Sequence, residues 1–372
     1  MSDSIELLCI GNAMVDVFAS ADSAWLDRQG ITAPVQHISP ADARRILAEL
    51  GGLADVVYSS GGAAANAAKI AAMLNVSAAF AGCVGAGASD DALDNAHNGA
   101  PVGGDDLAAV FEKDLRNAGV VPFLATGREG TGVCFSFSCG KAVQGTAEIR
   151  IAAAPGAALE FTEADVPEDL IAAAEAVVLD GYMLDRRPLV QRILQLANRH
   201  GIPIALDAAS VFQIREKTED ILHYSRNYPL IVFMNADESI VFYNTIRKSS
   251  DKIEAVSERK KETLILQEIC PVLKCITEGE IFPVMVIKLG GRGAVVLAGG
   301  AIYREETFTI IPRNTVGAGD AFCAAFLAAW IRGKPIRECA ALGNKVAREI
   351  LEVPGTRINA GKLKSFAKML RK

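Results

Sequence analysis

The sequence predicts an α/β fold: a central, mostly parallel β-sheet flanked by helices on both faces, with a small β-sheet lid. Three observations carry that prediction. Short apolar runs recur along the 372 residues, separated by segments of helical spacing. Most of those runs end in Gly, Asp or Asn. Two further stretches break the alternation and carry their own β pattern.

The runs, in order, are "IELLCIG" from Ile5, "SAAFAGCVG" from Ser77, "AAEAVVLDG" from Ala173, "IPIALDAA" from Ile202, "PLIVFMNADE" from Pro229 and "FPVMVIKLGG" from Phe282. A strand apolar throughout needs cover on both faces, which a parallel sheet between helical layers provides. The segments "GDDLAAVFEKDLRNAGV" (104–120) and "PLVQRILQLANRHG" (188–201) supply helices, and each reaches a Gly that can end it. The polar strand endings would gather at the carboxyl edge of the sheet, where ligands bind in such folds. "VFASADSAWLDRQGI" (17–31) and "TGVCFSFSCGKAVQGTAEIRIAA" (131–153) alternate and turn on Gly, as a lid would. The expected division is a large domain of residues 1–16, 37–122 and 154–372, and a lid of 17–36 and 123–153. Residues 86–105, rich in Gly, Asp and Asn, read as a surface loop, and the charged run 246–264 as a solvated helix face.

Composition narrows the function. With 51% hydrophobic residues the chain can bury a large core, so disorder is excluded as its main state. A net charge of −6 and no long run of like charge leave no basic field for a nucleic acid. The opening residues carry acids where a signal peptide is basic, and no uninterrupted stretch is long enough to span a membrane. The eight cysteines form no C-x-x-C, and several, such as Cys9, Cys83 and Cys323, sit in apolar runs as small hydrophobes. A cytoplasmic protein with neither nucleic acid nor membrane as partner is the expectation.

Three stretches carry chemistry. In "NTVGAGDAF" (314–322), Gly317, Ala318 and Gly319 precede a small, apolar helical run, so bare backbone N–H groups meet at a helix N-terminus and form an anion hole. Asp320 would repel a phosphate that is only held there. Beside a phosphoryl group in transfer it can instead take the proton of an attacking hydroxyl. A helix-capping role for Asp320 fits the local stretch equally well. No G-x-x-x-x-G-K-[ST] loop occurs, and "GAGDAF" is not a dinucleotide fingerprint. In "SGGAAANAAKIAAML", Gly61 and Gly62 lead into an alanine-rich helix with Asn66 as its early polar side chain. An amide there points to a polar ligand, or to a bond with neighbouring backbone. In "CIGNAMVDVF", Asn12 and Asp16 follow a buried strand and a turn. Asp16 can accept from a polyol's hydroxyls or stabilise the turn.

In this order and at these ends of the chain, the stretches resemble the ribokinase/PfkB family of sugar and nucleoside kinases. "NTVGAGDAF" is similar to its carboxy-terminal signature and "GGAAANAAKIAAML" to its amino-terminal one. The resemblance implies a ribokinase-like fold and an ATP-dependent kinase acting on a primary hydroxyl of a sugar or ribonucleoside. Asp320 is then the base, Gly317, Ala318 and Gly319 the anion hole, and Asp16, Asn12, Gly61, Gly62 and Asn66 the acceptor site. "NADE" (235–238) matches the family's N-x-x-E, which implies that Asn235 and Glu238 organise Mg2+, largely through water, and the phosphates. "VIKLGGRGAVV" implies Lys288, Gly290 and Gly293 near ATP, with Thr315 and, from "ALGNKVAREI", Asn344 also on the nucleotide. The family leaves open a monovalent cation such as K+, and a monomer or a homodimer paired through the lid.

Two departures stand out. Asn314 occupies the place of the signature's usual acid, and the usual G-x-D is altered to "VGAGASDD". The opening "GNAMVDVFA" and the length are similar to the adenosine-kinase branch, while "GGAAANAA" suits sugar kinases equally. A vitamin-type hydroxymethyl kinase fits the GG…N stretch less well. The competing class is a non-catalytic nucleotide- or sugar-binding regulatory protein on the same fold, and the intact Asp320, Glu238 and glycines weigh against it.

Overall fold

The apolar runs form strands, as their continuous burial requires. A computed structural model describes residues 5–87, 106–143, 146–247, 257–278, 283–310, 317–352 and 360–370. Among them are β1 (Ile5–Ile10), β2 (Met14–Ala21), β3 (Val35–His37), β4 (Ala54–Gly61), β5 (Ala78–Gly85), β6 (Val121–Gly127) and β7 (Gly132–Val143). There follow β8 (Thr146–Ala154), β9 (Ala174–Asp180), β10 (Ile204–Asp207), β11 (Leu230–Asn235), β12 (Val284–Lys288), β13 (Ala294–Ala298) and β14 (Ala301–Glu305). The chain divides into two compact units, the first of Met1–Ile10, Ile70–Ala78 and Val166–Lys372, the second of Gly11–Lys69 and Ala79–Asp165.

In the first unit the strands of a large mixed sheet run in the order β14-β13-β12-β11-β10-β9-β1. The pairs from β1 to β12 are parallel, and β12, β13 and β14 close the edge as antiparallel hairpins. Every residue of β10 and β13 is buried, as expected for strands covered on both faces. The register brings the polar strand endings together: Asp180 of β9 lies beside Asp207 of β10, and Asn235 of β11 beside Lys288 of β12. The helix Arg187–Arg199 buries Leu189, Val190, Ile193, Leu194, Leu196 and Ala197, and Gly201 follows its end with a φ of 69°.

The helix Ala318–Trp330 is buried from Ala321 to Ala329. Its Phe326 meets Phe233 of β11 edge-on, with centroids 5.4 Å apart. It also packs along the helix Ile336–Leu351, where a side chain on Gly343 would come 2.9 Å from the Phe322 ring. Small residues and one glycine therefore let the two helices approach closely.

The second unit holds the parallel pair β5 and β6 and a five-stranded sheet in the order β3-β8-β7-β2-β4. Both stretches that break the α/β alternation contribute to it, and β4, just before Gly62, forms its edge beside β2. Among the described residues no helix is long and apolar enough to cross a membrane.

Candidate active site

In the first unit, Gly317 adopts the left-handed conformation, with φ 81°, as the N-cap of the helix Ala318–Trp330 and gives it no side-chain cap. An L side chain rarely takes that backbone, and glycine brings no side-chain oxygen to cap the helix end. The Gly317 carbonyl accepts the first helical bond from Ala321 N at 2.9 Å. The N–H groups of Ala318 and Gly319 therefore have no acceptor within the helix. Asp320 is the third helical residue, in the first turn after the Gly317 N-cap. Thr315 and Asn314 lie outside the described residues.

Lys288 stands beside this turn. A methyl group on Gly319 would lie 3.3 Å from its Nζ. That ammonium donates to Asp207 Oδ2 at 2.8 Å, and both side chains are largely buried. Burial alone would lower the Lys288 pKa, but the charge and hydrogen bond of Asp207, then the charge of Glu238, hold it above its ordinary value. The residue is a fixed cation next to a helix N-terminus, a pairing that suits a polyanion.

Asn235 and Glu238 form a reciprocal box at the start of the helix Ala236–Arg247. The Asn235 N–H and Nδ2 donate to the two Glu238 carboxylate oxygens at 2.7 and 2.6 Å, and Asn235 Oδ1 accepts from Glu238 N at 2.9 Å. Glu238 is 3% exposed. Burial raises its pKa, against the lowering effect of Lys288 and of the Asn235 N–H, with Asp207 and Asp237 pushing it up further. Among the described residues no three His, Cys, Asp or Glu side chains cluster as a metal cage. A cation held mainly by water and phosphate fits these residues, because Mg2+ retains several waters and needs few protein ligands.

Gly290 and Gly293 shape the turn after β12 with φ of 59° and 96°. A side chain on Gly293 would collide with the Glu305 carbonyl at the end of β14. The same carbonyl accepts from Asn344 Nδ2 at 3.3 Å, so Gly293 and Asn344 converge on one backbone group.

The second unit gathers the other predicted set. Asp16 lies within β2, opposite Ser59 of β4 and Cys134 of β7, and is 6% exposed. A side chain on Gly61 would overlap the Asp16 carboxylate, and one on Gly62, with φ 88°, would strike the Asn12 carbonyl. Gly62 O accepts from Asn66 N at 2.9 Å, and Asn66 is 5% exposed. Asn12, Asp16, Gly61 and Gly62 thus form one cradle, with Asn66 one helical turn beyond Gly62. Burial raises the Asp16 pKa to about 6, with Lys69 pulling it down and Asp114 pushing it up.

Lys69, Asp114, Ser59 and Ser60 beneath this cradle were not foreseen. Lys69 Nζ bonds the Ser60 carbonyl and lies 3.6 Å from Asp114 Oδ2, which also accepts from Ser60 N and Oγ at 2.7 and 2.6 Å. The available signal was Lys69 itself, the one charge in "GGAAANAAKIAAML". In the first unit Asp207 was missed as an individual residue, although it ends one of the apolar runs.

Residues 88–362 match the profile of the pfkB family carbohydrate kinase. The chain belongs to this family. Among its pfkB relatives, adenosine kinase 1 of Arabidopsis thaliana is 25% identical over 94% of each chain. An uncharacterized sugar kinase of Archaeoglobus fulgidus is 37% identical over 23% of this chain and 33% of its own length. A cytidine kinase of Thermococcus kodakarensis is 33% identical over 31% of this chain and 43% of its own length. For these last two, the chain spans less than half of the relative. The crystal structure of adenosine kinase from Sinorhizobium meliloti superposes with a TM-score of 0.75 at 24% identity, over 99% of this chain and all of that one. The fold is thereby ribokinase-like α/β, and the relatives are phosphotransferases of the sugar and nucleoside kinase class.

Proposed function

We propose that this pfkB protein transfers the γ-phosphoryl group of ATP to a primary hydroxyl of a ribonucleoside or sugar, with Asp320 as general base. The observation that carries the reading is the uncapped helix N-terminus at Gly317, with Asp320 in its first turn and the Lys288 ammonium beside Gly319. N–H groups so placed suit the charge on a phosphoryl group in transfer, and a half-exposed carboxylate in the same turn suits its nucleophile.

In this reading Asp16, Asn12, Gly61, Gly62 and Asn66 hold the acceptor through its hydroxyls. Lys288, Asn235, Gly290, Gly293, Thr315 and Asn344 hold the nucleotide, and Glu238 orients the waters of Mg2+. When bound, Mg2+ neutralises phosphate charge. Asp320 takes the hydroxyl proton as the acceptor oxygen bonds to the γ-phosphorus, and the bond from that phosphorus to the ADP oxygen breaks. Gly317, Ala318 and Gly319 stabilise charge on the moving group. The near-full-length likeness to a protein named adenosine kinase puts adenosine first among acceptors, with cytidine, ribose and 2-keto-3-deoxygluconate next.

The test is ADP release with Mg2+-ATP across those acceptors. Asp320→Asn is expected to lower kcat by about 10²–10⁴-fold while the KM for ATP stays within a few-fold. Turnover near that of the unmodified chain would remove Asp320 from the role of base. Nucleotide binding with silence on every acceptor would point to an acceptor outside this set or to a non-catalytic binding protein.

A further inference from the structure

The cradle around Asp16 rests on an ion pair between Lys69, within the glycine-led stretch, and Asp114, which no motif supplies. Lys69 follows Asn66 by one helical turn and is 5% exposed. Its ammonium bonds the Ser60 carbonyl, reaches Ser59 Oγ at 3.3 Å, and pairs with Asp114 at 3.6 Å. Ser59 is the β4 residue opposite Asp16, and Ser60 precedes the glycine against which the Asp16 carboxylate lies. Asp114, on the helix Leu107–Asn117, fastens this end of β4 through both the N–H and hydroxyl of Ser60. A lone buried ammonium is costly unless paired and hydrogen-bonded, and here both conditions are met.

We propose that Lys69, clamped by Asp114 and the Ser60 carbonyl, is a positioning residue that keeps the Asp16 carboxylate ionised and aligned to accept the acceptor's hydroxyls. An ionised carboxylate forms roughly twice as strong a hydrogen bond to a hydroxyl as a neutral group does. The charged and titratable groups facing Asp16 are Lys69 on the glycine-led helix, Asp114 on the helix Leu107–Asn117 and the Cys134 thiol on β7. Lys69 is the cation of this set. Burial, the larger effect, and the repulsion from Asp114 leave the Asp16 pKa raised, and Lys69 is what limits the rise. The same charge, with the Ser60 bonds, overcomes burial to hold Asp114 below the usual aspartate range, so Asp114 stays anionic and keeps Lys69 in place. The role assigned to Asp16 rests on the kinase reading, while the coupling of Lys69 to Asp16 does not.

The experiment follows the Asp16 carboxyl by 13C NMR in the ligand-free full-length chain, with Asp16→Asn identifying the signal, and then measures KM for adenosine as probe. The unmodified chain is expected to titrate near pH 6. Lys69→Met removes the charge and the bond, and Lys69→Gln keeps a donor without the charge. Both are expected to move the midpoint up by about 1–3 pH units, and Lys69→Arg to restore it. With adenosine, the two neutral variants are expected to raise KM by about tenfold at pH 7, less at pH 9, with kcat within about twofold. A midpoint unchanged in Lys69→Gln overturns the inference even if the chain phosphorylates adenosine. An upward midpoint supports it even if adenosine is not turned over, so failure of the kinase reading is seen separately.

Discussion

Asp16 carries its charge at the expense of stability. Its pKa lies above the ordinary aspartate value in the folded chain, so the folded state binds more protons than the unfolded one between that value and about 6. Stability contributed by neutral Asp16 is fully present below the unfolded pKa and is lost as the pH rises through about 6. Asp16→Asn removes that loss and is expected to raise the unfolding free energy by about 1–3 kcal/mol at pH 7.5, with little gain at pH 4, as read by urea denaturation at both values. The same variant is expected to lose acceptor binding, a division between stability and activity common at binding sites. Gly61, Gly62 and Asn66 stand out in the sequence because an amide is a poor interior helix residue, and the two glycines lie against the Asp16 carboxylate and the Asn12 carbonyl. Asp114 was not legible. It lies 45 residues beyond Lys69 in an ordinary amphipathic helix, and only the fold brings the two within 3.6 Å.

At the scale of elements, the motifs fixed the meaning of their neighbours. The run after "GAGD" predicts a helix packed on a sheet, and Ala321 to Ala329 are buried accordingly. What the run could not disclose is its second partner, the helix Ile336–Leu351, which comes so close at Gly343 that even a methyl would meet Phe322. Gly343→Ala is expected to destabilise the chain by about 1–3 kcal/mol through overpacking, although alanine is the better helix former, and a denaturant melt at constant m-value checks it. The Asn235–Glu238 box shows the reverse case. Its spacing belongs equally to a family motif and to an ordinary helix cap, and the side chains form the cap in full.

For the molecule as a whole, the alternation of apolar runs and helical segments was enough to foresee a mostly parallel sheet and a separate small one. The order of strands was not readable, because parallel pairing joins segments far apart in the chain and leaves no local trace. Residue 5 in β1 pairs with residue 174 in β9, and β2 pairs with β7 across more than a hundred residues. Such distant pairings slow folding, because long loops must close before their contacts are gained. Pulse-labelled hydrogen exchange during refolding is expected to show the β1 amides that bond to β9 protected together with those of β9 and never before them. On a ribosome the same pairing becomes a matter of waiting. At ordinary synthesis rates roughly 10–30 s pass between β1 and β9, and for that time the β9-facing edge of a largely apolar hexapeptide is open to chaperones.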